Sequence, residues 1–129
     1  MQPLRMAVIG VGRLGQAHAR LFTEMPDVTL VGIFDTDGAQ ASEVSARYQI
    51  QVFSDMNALF QTVEAVSVVV PTTAHYKVAS KALLQGLHTF IEKPITTSIE
   101  EADDLIGLAD TQRCVLQVGH IERFNSAVR

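Results

Sequence analysis

The stretch MAVIGVGRLGQAHARLF, residues 6–22, joins a short apolar run to a helical pattern through three glycines. Their spacing, Gly10-x-Gly12-x-x-Gly15, gives each glycine a separate role if a dinucleotide binds there. Gly10 permits a tight turn out of a strand, Gly12 lets a pyrophosphate approach the backbone, and Gly15 lets the helix pack on the strand. The phosphates then lie at the helix N-terminus, where free N–H groups and the helix dipole favour negative charge. We predict that this loop, including Arg13 and Leu14, binds a dinucleotide cofactor.

The rest of the chain repeats this alternation of strand and helix. Strands are predicted at residues 5–9, 28–34, 50–53, 66–70, 88–91 and 114–118. Helices are predicted at residues 14–25, 38–48, 55–61, 74–85 and 98–110. Short connections between such elements indicate parallel strands covered by helices. The predicted fold class is therefore α/β, a Rossmann-type doubly wound parallel sheet of about six strands with helices on both faces.

Individual residues set the predicted helix ends. Pro26 stops the first helix, Asp55 caps the short third helix, and Gly86 stops the fourth. The last helix begins with Ser98-x-x-Glu101, the pattern of a capping box. Its predicted inner face consists of Ile99, Ala102, Leu105, Ile106 and Ala109.

Composition limits the classes of protein that suit this chain. A length of 129 residues predicts one domain, and 47% apolar with 19% charged residues is typical of a globular chain. The formal net charge is −4 and no basic stripe is present, so nucleic acid is not an expected partner.

Cysteine content and hydropathy indicate the compartment. Cys114 is the only cysteine, which excludes an intrachain disulfide and a cysteine metal cluster, and no metal site is expected. Its apolar neighbours favour a buried, inert thiol over a nucleophile. The N-terminal apolar run is interrupted by Arg13 and is too short for a signal peptide, and no stretch approaches the roughly 20 apolar residues of a membrane helix. The default expectation is a cytoplasmic protein without membrane contact.

Asp35 ends the second predicted strand, 20 residues after Gly15. A carboxylate there accepts hydrogen bonds from the adenosine ribose hydroxyls and repels a 2′-phosphate, which favours NAD over NADP. Two alternatives stay open: a tight turn followed by a solvated aspartate, and a similar loop that holds a methyl donor such as S-adenosylmethionine.

Residues 71–75, PTTAH, follow the fourth predicted strand. In a doubly wound sheet, ligands bind outside the carboxyl ends of the strands. We therefore expect Pro71, Thr72 and His75 to line the cofactor crevice. A helix-cap or surface position for His75 is an equal alternative.

The stretch FIEKPI places Glu92, Lys93 and Pro94 at the carboxyl end of the fifth predicted strand. A charged pair that closes a buried strand is costly unless it faces a cleft or a partner. Lys93 would then lie near the nicotinamide end of the cofactor, where it can bind a substrate hydroxyl and accept its proton. Glu92 would orient Lys93 or touch the cofactor. An ordinary surface Lys–Glu pair before a turn is the alternative.

These motifs, in this order, resemble the glucose–fructose oxidoreductase / inositol dehydrogenase (Gfo/Idh/MocA) family. The resemblance covers residues 4–129, and its specific part is the Glu92-Lys93-Pro94 motif. It implies an NAD(P)-dependent oxidoreductase acting on sugars, cyclitols and related alcohols, with Lys93 as the catalytic lysine. It also implies a second, larger domain that supplies most substrate contacts and through which members often form homo-oligomers.

The closing segment VGHIERFN, residues 118–125, is similar to the branch that oxidises nucleotide-linked sugars, such as UDP-N-acetylglucosamine 3-dehydrogenases. Those relatives usually have proline where this chain has Ser126. His120 and Arg123 either face substrate or pack at a domain junction. We therefore divide the chain into a dinucleotide-binding Rossmann domain, residues 1–119, and the start of a second domain, residues 120–129, although a C-terminal tail is an alternative.

Two functions follow from the sequence. The first is the NAD-binding domain of an oxidoreductase that transfers hydride between a sugar or nucleotide-sugar alcohol and a nicotinamide cofactor, the isolated chain being inactive. The second is a standalone dinucleotide-binding or redox-sensing module without catalysis, which would leave the Glu92-Lys93-Pro94 motif without a purpose.

Overall fold

The computed structural model describes residues 2–119 of the chain. These residues form a parallel sheet with helices on both sides. The strands are β1 (Leu4–Ile9), β2 (Val28–Phe34), β3 (Ala65–Val68), β4 (His88–Ile91) and β5 (Leu116–Val118). The helices are α1 (Arg13–Glu24), α2 (Gly38–Tyr48), α3 (Met56–Phe60), α4 (Thr72–Leu84) and α5 (Ile99–Gln112).

The five strands lie in the order β2-β1-β3-β4-β5 and all neighbours are parallel. The register aligns Ile9 at the end of β1 with Phe34 of β2 and Val68 of β3. β2 pairs with one edge of β1, and the next strand along the chain, β3, pairs with the opposite edge of β1. The strand order therefore reverses between β1 and β3. Ligands of doubly wound sheets bind at this reversal point, outside the carboxyl ends of the strands.

Alternating residues of β1 divide the core into two layers. Ala7 and Ile9 belong to a buried cluster that includes side chains of α3, α4 and α5. Val8 belongs to a second cluster with Ala19 of α1 and Val44 of α2. Because successive side chains of a strand point to opposite faces, helices cover both faces of the sheet. The predicted doubly wound fold is confirmed.

The predicted strand at residues 50–53 is wrong, and the sheet has five strands, close to the predicted number of about six. This segment makes a single bridge, between Val52 and Ile33. Gln49 ends α2 in the left-handed conformation, and Asp55 already caps α3 by accepting a hydrogen bond from Asn57 N. The backbone of the segment bonds to β2 at Ile33, whose N–H donates to Gln51 O and whose carbonyl accepts from Phe53 N.

Several element boundaries also differ from the prediction by one or two residues. β3 ends at Val68 instead of residue 70, and α4 begins at Thr72, directly after Pro71, instead of residue 74. β5 begins at Leu116 because Arg113 takes a left-handed conformation and Cys114 N donates to Ala109 O. That hydrogen bond keeps Cys114 at the helix end instead of in the strand.

The capping box of α5 is confirmed, but its predicted inner face is only partly correct. Ser98 Oγ accepts from Glu101 N at 3.2 Å. Leu105 and Ala109 are buried, whereas Ile99 is 77% exposed and Ile106 is 56% exposed. The inner face is centred on Leu105 and also takes in the partly buried Leu108, which turns those two isoleucines toward solvent.

None of the helices within residues 2–119 is both long and apolar enough to cross a membrane. The segment 120–129, which was predicted to start a second domain, lies outside the described residues, as do His120 and Arg123.

Candidate functional site

A crevice of about 740 Å³ opens where the carboxyl ends of β1, β2, β3 and β4 meet. This volume is within the usual range of small-molecule sites. The structure brings every residue predicted from the sequence to this one crevice: Gly10, Gly12, Arg13, Leu14, Gly15, Asp35, Pro71, Thr72, His75, Glu92 and Lys93. Their roles toward a cofactor stay predictions.

At two positions of the loop, neighbouring backbone atoms lie so close that only glycine fits. Gly10 has a φ of +93°, and a Cβ there would lie 2.5 Å from the carbonyl oxygen of Val69. A Cβ on Gly15 would lie 1.9 Å from the carbonyl oxygen of Gly10. Neither position has room for a side chain. Without side chains there, α1 packs closely against the end of β1, as a phosphate-binding turn requires.

Gly12 differs from these two glycines because a Cβ there would meet no heavy atom within 4 Å. Gly12 is the N-cap residue of α1, and no side chain caps this helix end. The first turn of α1 also contains no acidic residue. The helix N-terminus therefore faces open space with its N–H groups available, which suits the pyrophosphate of a dinucleotide.

Asp35 follows β2 and is held in place by the loop. Its Oδ2 accepts a hydrogen bond from Val11 N at 2.8 Å, and its Oδ1 accepts from Asp37 N at 2.9 Å. Each carboxylate oxygen accepts more than one hydrogen bond, so both keep capacity for ribose hydroxyls. The contact with Val11 N fixes the carboxylate beside the glycine loop, while Asp35 stays partly exposed at the crevice.

His75 is 2% exposed, and both of its ring nitrogens face backbone carbonyls. Nδ1 lies 2.9 Å from Pro94 O and 3.2 Å from Ile95 O, and Nε2 lies 3.0 Å from Val70 O. The ring joins the turn after β3 to the turn after β4. His75 is therefore neither a surface residue nor a helix cap, since α4 has no side-chain cap.

Glu92 and Lys93 have opposite environments. Glu92 is 5% exposed, and its Oε1 lies 2.9 Å from Nε2 of His18. Lys93 is exposed at the crevice, and the Lys93–Pro94 peptide bond is cis. Because Glu92 is buried against a histidine, the alternative of a surface Lys–Glu pair is wrong.

Sequence reasoning missed His18 and Ser67 as polar groups near the site. Helical spacing in residues 14–25 places His18 among apolar residues of α1, yet its Nδ1 lies 2.7 Å from Ser67 Oγ. Burial lowers the pKa of His18 from its ordinary value, and the hydrogen bond and charge of Glu92 act in the opposite direction. One serine in an otherwise all-valine run, residues 66–70, was the available signal. Lys77 and Lys81 of α4 also line the crevice without having been predicted.

A second depression lies between α1 and the strands β1 and β4. Its lining is mainly apolar and includes Met6, Phe22, Phe90 and Val115. Polar groups converge on the crevice instead, as expected of a site that orients a polar ligand.

Other reactive groups of the described chain are sparse. Among residues 2–119, no three His, Cys, Asp or Glu side chains are placed to hold a metal ion. Cys114 is half-buried, not buried as predicted, and desolvation raises the pKa of its thiol. A raised pKa disfavours the thiolate, in agreement with an inert cysteine.

A doubly wound parallel sheet with a glycine loop after β1 and a carboxylate after β2 defines a Rossmann-type dinucleotide-binding domain. Comparison with known proteins gives the family. The chain belongs to the Gfo/Idh/MocA oxidoreductases, a family with an NAD-binding Rossmann fold, which it matches over residues 4–120. The resemblance carried by the glycine loop and the Glu92-Lys93-Pro94 motif is confirmed.

Several relatives are dehydrogenases of sugars or cyclitols. UDP-N-acetylglucosamine 3-dehydrogenase from Acidithiobacillus ferrooxidans is 43% identical over 126 residues, covering 98% of this chain and 40% of the relative. The solved structure of that enzyme has a TM-score of 0.91 and covers 99% of this chain and 42% of its own. scyllo-Inositol 2-dehydrogenase (NAD(+)) from Bacillus subtilis is 34% identical over 128 residues, covering 96% of this chain and 37% of the relative.

A relative of known structure contains the cofactor. GenD2 from gentamicin A biosynthesis, solved in complex with NAD, has a TM-score of 0.87 and 28% identity over 92% of this chain and 35% of its own. The chain thus spans about two fifths of the length of the relatives it matches, 40% and 37% for the two dehydrogenases compared by sequence.

Proposed function

We propose that this chain is the cofactor-binding part of a dehydrogenase that transfers hydride between a sugar or nucleotide-sugar alcohol and NAD. The observation that carries the proposal is the position of Lys93. The Lys93 side chain is exposed at the carboxyl end of β4, in the same crevice as the open helix N-terminus at Gly12. A basic side chain beside a dinucleotide site is what an alcohol oxidation requires.

The cofactor is held by the glycine loop and by Asp35. The backbone at Gly12 would hold the pyrophosphate, and the Asp35 carboxylate would accept hydrogen bonds from the adenosine ribose hydroxyls. Since Val11 N and Asp37 N already orient this carboxylate, it does not turn away from a 2′-phosphate. A fixed negative charge there makes NAD the preferred coenzyme over NADP.

The unprotonated amine of Lys93 accepts the alcohol proton when the substrate C–H bond gives up its hydride. NAD supplies the hydride acceptor, and the chain supplies the base and the alignment of the two carbons. His75 supports this arrangement by joining the turn after β3 to the residues that follow Lys93. A shift of that turn would move Lys93 relative to the glycine loop.

The substrate class rests on similarity. The relative from Acidithiobacillus ferrooxidans acts on UDP-N-acetylglucosamine, and it is 43% identical over 98% of this chain. A nucleotide-linked sugar is therefore the proposed substrate. The remainder of a full-length enzyme, beginning near residue 120, would supply the sugar pocket and a homo-oligomer interface. A cytoplasmic location completes the proposal and is supported by a composition with one cysteine and no intrachain disulfide.

Two variants of Lys93 test the proposal in a protein that contains this chain and the sugar pocket. Formation of NADH from a nucleotide sugar is followed by absorbance. Lys93→Arg keeps a long basic side chain but provides no proton acceptor, because a guanidinium stays protonated. We therefore expect a loss of about 10²–10⁴-fold in kcat, as for removal of a general base. Lys93→Ala should lose at least as much, while NAD binding by calorimetry changes little.

Lys81→Arg is the matched control, because Lys81 lines the same crevice from α4 instead of from the end of β4. We expect this variant to keep its turnover. Full turnover by Lys93→Arg would contradict the proposed base.

A further inference from the structure

A buried chain of three polar side chains crosses the α1 side of the sheet. Ser67 in β3 is fully buried, His18 in α1 is 1% exposed, and Glu92 after β4 is 5% exposed. Ser67 Oγ lies 2.7 Å from His18 Nδ1, and His18 Nε2 lies 2.9 Å from Glu92 Oε1. Three separate elements thus contribute one connected hydrogen-bond network.

The chemistry of the three groups selects one arrangement of protons. The buried Ser67 hydroxyl must donate within the protein, and His18 Nδ1 is the partner that the described residues give it. His18 Nδ1 is then an acceptor, so the ring carries its proton on Nε2 and donates to Glu92 Oε1. A neutral ring agrees with the effect of burial, which lowers the pKa of His18. Glu92 in this arrangement accepts as a carboxylate.

Glu92 also belongs to the cofactor crevice. It lines the crevice together with Lys93, the next residue, whereas His18 and Ser67 lie behind it. A buried carboxylate without a charge-assisted hydrogen bond is costly and tends to take up a proton or turn toward water. The Nε2–H of His18 removes that tendency at one of the two carboxylate oxygens.

We propose that His18, oriented by Ser67, is a positioning residue that holds the Glu92 carboxylate as a fixed negative charge at the nicotinamide end of the crevice. The nicotinamide ring is a cation in NAD+ and neutral in NADH. A fixed negative charge beside the ring favours the oxidised coenzyme. The ratio of the NADH dissociation constant to the NAD+ dissociation constant is therefore larger than it would be with an uncharged side chain at this position. This inference rests on the proposed function, which places the nicotinamide near Lys93.

The test compares the affinities of this chain for NAD+ and NADH by isothermal titration calorimetry. The quantity measured is the ratio of the NADH dissociation constant to the NAD+ dissociation constant. Glu92→Gln keeps the shape of the side chain and removes the charge, and we expect the ratio to fall about tenfold, as for a change of about 1.4 kcal/mol between the two coenzymes. Glu64→Gln is the control, because Glu64 is exposed and paired with Arg5 outside the crevice.

Two variants of His18 separate positioning from packing. His18→Leu fills the space but donates nothing to Glu92, so its ratio should fall as in Glu92→Gln. His18→Gln keeps an N–H donor near the place of Nε2, so its ratio should stay close to that of the unchanged chain. Thermal unfolding of each variant shows whether it is folded, and if His18→Leu does not fold, Glu92→Gln and His18→Gln decide the matter.

Failure of the inference and failure of the proposed function give different results. If Glu92→Gln binds NAD+ and NADH with an unchanged ratio of dissociation constants, the proposed effect of the Glu92 charge is wrong and the proposed function still stands. A ratio in His18→Gln as low as in Glu92→Gln overturns the positioning role of His18. A chain that binds neither coenzyme before any substitution contradicts the proposed function itself.

Discussion

Gly12 and Gly15 lie three residues apart, yet alanine at the two positions should have opposite consequences. A Cβ on Gly15 would lie 1.9 Å from the Gly10 carbonyl oxygen, whereas a Cβ on Gly12 would meet no atom within 4 Å. Gly15→Ala should therefore damage the fold, and Gly12→Ala should damage only cofactor binding. The pair separates what the loop does for stability from what it does for a ligand.

The magnitude for Gly15→Ala follows from the size of the clash. Non-bonded heavy atoms normally approach to roughly 3.5 Å, so α1 or the Gly10 carbonyl must move by about 1.5 Å. Overpacking of this kind costs about 3 kcal/mol when the obstacle is backbone. Alanine regains about 1 kcal/mol of helix propensity, which leaves a net loss of about 2 kcal/mol. For a domain of this length the melting temperature should fall by roughly 8 °C.

For Gly12→Ala, the expected loss is in affinity. The N-cap substitution should change the free energy of unfolding by less than about 1 kcal/mol. The new methyl group occupies the space in which the pyrophosphate approaches the backbone, so NAD+ should bind at least about tenfold more weakly. For both variants, scanning calorimetry measures the melting temperature and titration calorimetry measures the affinity for NAD+. Unchanged NAD+ affinity in Gly12→Ala would refute the reasoning about the loop.

Three further predictions concern other elements. Asp35→Asn removes the charge that repels a 2′-phosphate, so the preference for NAD+ over NADP+, measured by titration calorimetry, should fall by about tenfold. Ser98→Ala removes the hydrogen bond from Glu101 N. The free energy of unfolding, measured with urea, should fall by about 1 kcal/mol, and the affinity for NAD+ should not change. The pKa of His18 is lowered in the folded chain, so the unfolded chain binds more protons below the ordinary value of about 6.5. The free energy of unfolding should therefore fall as the pH drops through that value, and His18→Gln should show a smaller fall.

Each of these predictions has an outcome that contradicts it. An unchanged coenzyme preference in Asp35→Asn would show that the carboxylate does not face the ribose. Stability of Ser98→Ala equal to that of the unchanged chain would mean that the cap contributes nothing. Equal pH profiles with and without His18 would mean that this ring does not titrate differently on unfolding.

The crevice residues could be predicted because each is marked by a local pattern at a strand end. The glycine spacing, the acid after β2 and the Glu92-Lys93 pair after β4 are all read from short stretches, and a parallel sheet brings these ends to one edge. The structure confirms that they meet. No long-range contact had to be guessed for this result.

The buried network could not be predicted from the sequence, because its residues are far apart along the chain. Ser67 and Glu92 are 49 and 74 residues away from His18, and only the folded sheet, with α1 packed on β1 and β2, brings the three groups together. A histidine in an apolar helical stripe suggests a core residue, and nothing local tells which polar groups it meets.

The wrong elements have a similar cause. The short, mainly apolar run of residues 50–53 suggests a strand, but only its Val52 pairs with the sheet, through Ile33 of β2. Ile99 and Ile106 fit a helical stripe equally well, yet the way α5 packs on α4 places Leu105 at the centre of the buried face. Tertiary packing, which the local pattern does not contain, decides both cases.

The central claim is that NAD binds in the crevice between the glycine loop, Asp35 and Lys93. Amide chemical shifts of the ¹⁵N-labelled chain during titration with NAD+ test it most directly. We expect saturable shifts at Gly10, Gly12 and Val11, with further shifts at Asp35 and Lys93. Shifts confined to other parts of the chain, or none at millimolar NAD+, would contradict the account.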